Sequence, residues 1–226
     1  MRMRMILPTI FGLAGFAVLM ALGIWQMQRL AWKESVLAEM RAAMTAAPVA
    51  LPDGPDAAAH NYLPVRASGR IGEGAIRILG SRRLVGPGYR LISAFETGGR
   101  RILLDRGFVA QARGDAPLPV QDDVTVAGNL HWPDEIDASF TPEPDLDANI
   151  WFARDVPAMA RHLGTEPVLL VARDETGDTG PATPWPVDMS GIANDHLEYA
   201  ITWFSLSVLW LGMTLYLLWR IRQRTV

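Results

Sequence analysis

Cysteine is absent from this chain of 226 residues. That absence excludes disulfide staples, thiolate metal sites, iron–sulfur ligation and cysteine nucleophiles, while leaving the compartment open. A basic surplus is also lacking. The 21 Lys and Arg stand against 24 Asp and Glu, a net charge of −3, so the bulk charge gives nucleic acid nothing to hold. No nucleotide-binding glycine loop, no HExxH and no GxSxG occurs, and the chain carries no enzyme signature. Charge is scarce at 20% against 50% hydrophobic residues, which excludes a disordered tail or an acidic linker protein.

The apolar residues concentrate at the two ends. Met5 to Gln28 and Tyr199 to Trp219 contain no charged residue, and at about 1.5 Å per helical residue each covers the roughly 30 Å hydrocarbon core of a bilayer. Both read as transmembrane helices. Arg2 and Arg4, with Ala21 and Gly23 as a small-x-small site, also suit a cleaved signal peptide. The apolar run, however, continues through Ile24, Trp25 and Met27, longer than a signal core, and favours an uncleaved anchor. Arg220, Arg222 and Arg224 follow the second run, whereas residues 179–198 hold no Lys or Arg. The positive-inside rule then places the C-terminus in the cytoplasm. Two spans return the chain to its starting side, so both termini are expected in the cytoplasm and the middle outside, which in a bacterium is the periplasm. The expected organisation is a cytoplasmic tail and first helix over 1–28, a periplasmic β-rich domain over 29–198, and a second helix with its cytoplasmic tail over 199–226. The exterior part holds 16 basic residues against all 24 acids, a net −8, as suits a water-soluble domain.

That middle region reads as short strands separated by turns. Tyr62 to Ile71, Ala75 to Leu84, Tyr89 to Thr97, Arg100 to Ala110, Val124 to Leu130 and Pro167 to Arg173 are the candidate strands. Gly98 and Gly99 form a two-residue hairpin turn, where glycine supplies the positive φ angles required. Asp155 to Leu163 reads as a short helix with Asp155 as cap and Gly164 as stop. No alternating βα rhythm is present, so the strands predict an antiparallel sheet curling toward a barrel. The segments Pro48 to Ala59 and Thr176 to Asp188 read as linkers. The fold class is thus an α+β membrane protein, two transmembrane helices flanking an exported antiparallel β-barrel-like domain with one or two short helices.

Few side chains here suggest chemistry. The acidic loop of Asp134, Glu135, Asp137, Glu143 and Asp145 reads as solvated surface, and Arg100, Arg101 and Arg106 as the polar side of a strand. Methionines cluster toward the N-terminus without the repeated close spacing of a copper(I) site, and read as packing or lipid-facing groups. Of the histidines, His60, His131 and His162 read as surface residues. His196 stands apart because it precedes the second apolar run at headgroup depth, with Tyr199 and Trp203 on roughly the same helical face. An interfacial anchor is one reading of this group. An axial ligand for the iron of a lipophilic haem is the other.

Several blocks together resemble a known family. Leu22, Gly23, Ile24, Trp25 and Gln26, followed by Arg29, Leu30, Trp32 and Lys33, are similar to the first-helix exit of the surfeit-locus (Shy-type) cytochrome c oxidase assembly factors. Pro64, Val65, Arg66, Ser68 and Gly69 resemble its first strand. Gly86 to Tyr89 and Asp105 to Val109 resemble its central hairpin, with Asp105 and Phe108 in place of the usual Asn and Trp. Asn194, His196, Leu197, Tyr199, Ala200, Thr202, Trp203 and Phe204 resemble its second-helix entry, with Asp195 and Glu198 in place of Asn and Gln.

The resemblance implies an assembly factor without turnover of its own, which binds haem a and assists its insertion into subunit I of the oxidase. Other oxidase assembly proteins or haem a synthesis proteins are implied partners, in the bacterial inner membrane and with membrane lipid around the helices. His196 becomes the expected metal ligand, Tyr199, Trp203, Trp25 and Gln26 its surroundings, and Arg29 and Lys33 partners for haem propionates. The competing expectation is a non-haem membrane scaffold that stabilises an oxidase assembly intermediate, in which Arg29 and Lys33 serve as interfacial anchors. A membrane-tethered haem-modifying enzyme is a further alternative, disfavoured because the first helix carries no histidine.

Overall fold

The first helix, α1, runs from Met3 to Thr45 and includes Pro8 near its start. At 43 residues it is about 65 Å long, twice the thickness of a bilayer core. The computed structural model describes residues 3–189 and 192–223; Arg2 and Arg224, two of the charges in the topology argument, lie outside these. The chain divides into two compact units, Met1–Met40 with Met189–Val226, and Arg41–Asp188.

In the second unit, the elements after α1 run in the order β1 (Val49–Ala50), α2 (Ala57–His60), β2 (Pro64–Ile71), β3 (Ile76–Arg82), β4 (Gly86–Thr97), β5 (Arg100–Ala110), β6 (Gln121–Leu130), β7 (Ile150–Trp151), α3 (Val156–Leu163) and β8 (Leu169–Glu175). Strand β2 pairs with β6, β6 with β8, β8 with β5, β5 with β4, and β4 again with β2. This ring closes a five-stranded barrel, so its strands leave no free edge within the ring. Strands β3 and β7 extend the sheet beyond β4, and β1 adds to β2. All ring pairs are antiparallel except β5 with β8, because β8 is entered only after the chain has travelled through β6, β7 and α3.

Alternation along the strands creates two apolar layers. Val65, Phe95, Ile102, Leu104, Val126 and Leu170 belong to one buried cluster. The neighbouring residues Leu103, Leu169 and Val171, with Ile76, Ile78 and Ile92, form the other, which α3 covers with Val156, Met159 and Ala160. Helix α3 is bounded as its sequence predicts. The Asp155 side chain accepts from Ala158 N–H at 2.9 Å, and Gly164 ends the helix in the left-handed region at φ 62°. The β4–β5 turn likewise has Gly98 and Gly99 at φ 57° and 76°.

Two segments expected as linkers are structured. Within Pro48 to Ala59, β1 pairs in parallel with β2, and Asp56 caps α2 by accepting from Ala58 and Ala59 N–H. Within Thr176 to Asp188, Thr183 exchanges backbone hydrogen bonds with Phe108 at 2.8 Å each way, Ala182 is buried, and Trp185 meets Phe108 edge to face at 5.4 Å. Pro, Gly and Asp marked irregular backbone in both segments, but irregular backbone can still seal a sheet.

The first unit holds α1 as far as Met40 together with α4 (His196–Gln223). Both are long and apolar enough to cross a membrane.

Candidate functional site

The two long helices run antiparallel and approach closely where one of them carries glycine. A Cβ at Gly12 would lie 2.1 Å from Thr214, one at Gly15 2.4 Å from Trp210, and one at Gly23 2.5 Å from Phe204. Small residues at these positions let large ones on the facing helix pack against backbone, the usual device for helix pairing in lipid. Polar groups reinforce the seam. Trp210 Nε1 donates to the Gly12 carbonyl at 2.9 Å, and the Ser207 hydroxyl donates to Met20 Sδ at 3.4 Å.

At the His196 end of this seam, Gln26 Oε1 lies 2.8 Å from His196 Nδ1. Gln26 is buried although it stands in an apolar run, and the imidazole satisfies it. The remaining expected site residues are placed differently. Trp25 and Tyr199 each expose more than half of their surface, and Trp203 is half-buried. The Arg29 guanidinium lies over the Trp32 ring at 4.2 Å. Lys33 Nζ donates to the Ala193 carbonyl, tying the approach to α4 onto α1. Asn194, beside that contact, has a buried Oδ1 with no hydrogen-bond partner among the described residues. Among the described residues no group of three or more His, Cys, Asp or Glu could hold a metal ion. At this end of the seam the potential metal donor is the single imidazole of His196, held at Nδ1 by Gln26.

The barrel unit contains two ionic constellations that the sequence reading missed. Leu91 faces Gly107 and Ile92 faces Asp105, so Arg106 is the extra residue of a β-bulge. Arg106, expected on the polar side of its strand, is instead fully buried and pairs through Nη2 with Glu175 Oε1 at 2.7 Å. Gln121 Nε2 donates to the same carboxylate oxygen at 2.8 Å. Arg100 and Arg101 keep the exposed character expected of a strand's polar side only in part, since Arg100 is held by Glu166.

Asp105, also fully buried, accepts from Arg90 Nη1 at 2.6 Å and lies 3.7 Å from Arg154 Nη1. Burial raises its carboxyl pKa, opposed by the charges of Arg90 and Arg154. Arg154 also binds Glu135 through Nε at 3.0 Å. Burial pushes Glu135 up, but hydrogen bonding and charge from Arg154 hold it below the usual carboxylate range. Arg90 stacks on Trp185 at 4.3 Å, and Arg90, Glu135, Arg154 and Trp185 line a cleft of about 380 Å³ together with Phe152 and Gly80. His131, expected at the surface, is buried, bonds Asn61 through Nδ1 at 3.1 Å and stacks on Tyr62. Every partner in these clusters is distant in sequence, so spacing alone carried no signal for them.

A closed five-stranded barrel in one unit, with an antiparallel pair of long apolar helices carrying a part-buried Gln–His contact in the other, defines a barrel protein equipped with two candidate membrane spans. Residues 13–208 match the SURF1 family, and the chain belongs to that family, the cytochrome oxidase assembly factors that its sequence blocks resemble. A SURF1-like protein of Drosophila melanogaster is 30% identical over 217 residues, covering 84% of this chain and 71% of the relative. Surfeit locus protein 1 of Homo sapiens is 29% identical over 209 residues, covering 82% and 69%. A SURF1-like protein of the bacterium Rickettsia bellii is 28% identical over 227 residues, covering 93% and 88%.

Proposed function

We propose that this chain is a two-pass inner-membrane assembly factor for cytochrome c oxidase that binds haem a through His196 and assists its insertion into subunit I. Family membership supports the oxidase role. The observation that carries the haem reading is the lone imidazole of His196, held at the helix seam by Gln26 and accompanied by the partly exposed rings of Tyr199 and Trp203. A bound haem would supply an iron whose axial position takes a neutral imidazole nitrogen. The protein's own part is to orient that imidazole and to offer aromatic surface to a flat macrocycle. In this reading both termini are cytoplasmic and the barrel is periplasmic, supported by Arg220 and Arg222 in the last turn of α4.

The test is purification from membranes that make haem a. A chromophore in the native protein that disappears in His196→Ala, with subunit I copurifying in both, is the expected result. A second reading, the non-haem scaffold, is favoured by the engagement of Arg29 with Trp32 and of Lys33 with Ala193, which occupies both cations within the protein. Copurification of subunit I with a colourless native protein would select the scaffold.

A further inference from the structure

Gln26 and His196 lie on different helices and 170 positions apart, yet their contact decides which face of the imidazole is available for bonding. A neutral imidazole carries its one proton on either Nδ1 or Nε2, and the partner of one nitrogen selects the state of both. Here the atom facing Nδ1 at 2.8 Å is the amide oxygen of Gln26, which can only accept. That contact is a hydrogen bond only when the proton resides on Nδ1, which leaves the Nε2 lone pair of a neutral ring unprotonated. Gln26 is 8% exposed, so water does not compete effectively for the oxygen, and the contact is worth more than the same bond at the surface. Its backbone is fixed one turn from Gly23, where the helices are in close approach against Phe204.

We infer that Gln26 is the positioning residue of the site: it locks His196 in the Nδ1-protonated tautomer, so that Nε2 is the nitrogen offered to a haem iron. This rests on the proposed haem-binding role and assigns Gln26 a function through His196 instead of direct contact with the macrocycle. Metal-bound histidines are commonly held in this way, by an acceptor at the far nitrogen that fixes ring orientation and raises donor strength. The chemistry also ranks substitutions. Gln26→Glu, as the carboxylate, keeps an acceptor at Nδ1 and so keeps the proton there. Gln26→Leu removes the acceptor and releases the ring.

The experiment has two arms on the full chain in lipid nanodiscs. In the first, the haem-free protein labelled with ¹⁵N-histidine is examined by NMR at alkaline pH, with His196 assigned by subtraction of the His196→Ala spectrum. The native chain and Gln26→Glu are expected to show Nδ1 protonated and Nε2 bare, and Gln26→Leu a mixture of tautomers. In the second arm ferric protohaem is the probe. Gln26→Leu is expected to weaken its affinity by about 10- to 100-fold, and Gln26→Glu to restore it. A proton on Nε2 in the native chain, or a tautomer unchanged by Gln26→Leu, overturns the inference. If the first arm gives the expected tautomers while the native chain takes up neither protohaem nor haem a, the lock stands and the haem reading fails, so the two are separated.

Discussion

Arg106 and Glu175 form an ion pair with both side chains at or below 1% exposure, joined at 2.7 Å between β5 and β8. Because Arg106 is the bulged residue of β5, local backbone irregularity and a buried charge arise from the same feature. Arg106 Nη1 is left without a partner, so the pair is incompletely satisfied and its desolvation is not fully offset. Arg106→Met alone is expected to destabilise the barrel by about 3–5 kcal/mol, since the Glu175 carboxylate would be stranded. The double variant Arg106→Met with Glu175→Leu should recover most of that loss. Denaturant unfolding of both variants followed by tryptophan fluorescence gives the comparison, and equal losses in single and double variants would refute it.

Stability should fall on mild acidification because of His131. Burial, and then the charge of Arg154, lower its pKa from 6.5 to about 4. The folded value lies below the unfolded one, so the unfolded chain takes up the proton first. The contribution is therefore fully present above about pH 6.5 and is lost as pH falls toward about 4, to the extent of about 3 kcal/mol. His131→Gln should flatten the stability profile across that window.

Gly107 sits at φ 103°, and a Cβ there would lie 2.1 Å from the Thr183 carbonyl oxygen. Gly107→Ala combines backbone strain with a backbone clash, each worth about 1–3 kcal/mol. The Thr183–Phe108 pairing should open first. Faster proteolysis within 176–188 than in the native chain, before any cleavage in β4 or β5, is the expected signature.

The helix seam can be tested by crosslinking, because the chain has no cysteine of its own. Met20→Cys with Ser207→Cys, at positions where Ser207 Oγ meets Met20 Sδ at 3.4 Å, should be joined within one chain by a short bifunctional thiol reagent. Adding Gly15→Leu, which forces a side chain into Trp210, should lower the yield severalfold. Unchanged crosslinking would argue against the glycine-dependent approach.

Much of the architecture was local and therefore legible. Uncharged runs marked both long helices, paired glycines marked the β4–β5 turn, and Asp155 with Gly164 bounded α3, because each depends on neighbouring residues. Charge-free composition indicated where the first apolar run ended at Gln28, but not that helix would continue to Thr45, since polar residues are as helix-compatible as apolar ones. Among the site residues, the address of His196 was visible in sequence, as were the ring-bearing positions near it.

The sequence by itself thus determined the two apolar helices, the main strands and α3, and set His196 apart by its address. Only the tertiary structure decided that Gln26 faces that histidine, that Arg106 turns inward to Glu175, and that His131 is buried. The physical reason is common to all three. A polar side chain's state depends on what meets it after desolvation, and here the partners lie 170, 69 and 70 residues away, brought into contact by helix packing and barrel closure rather than by any spacing along the chain.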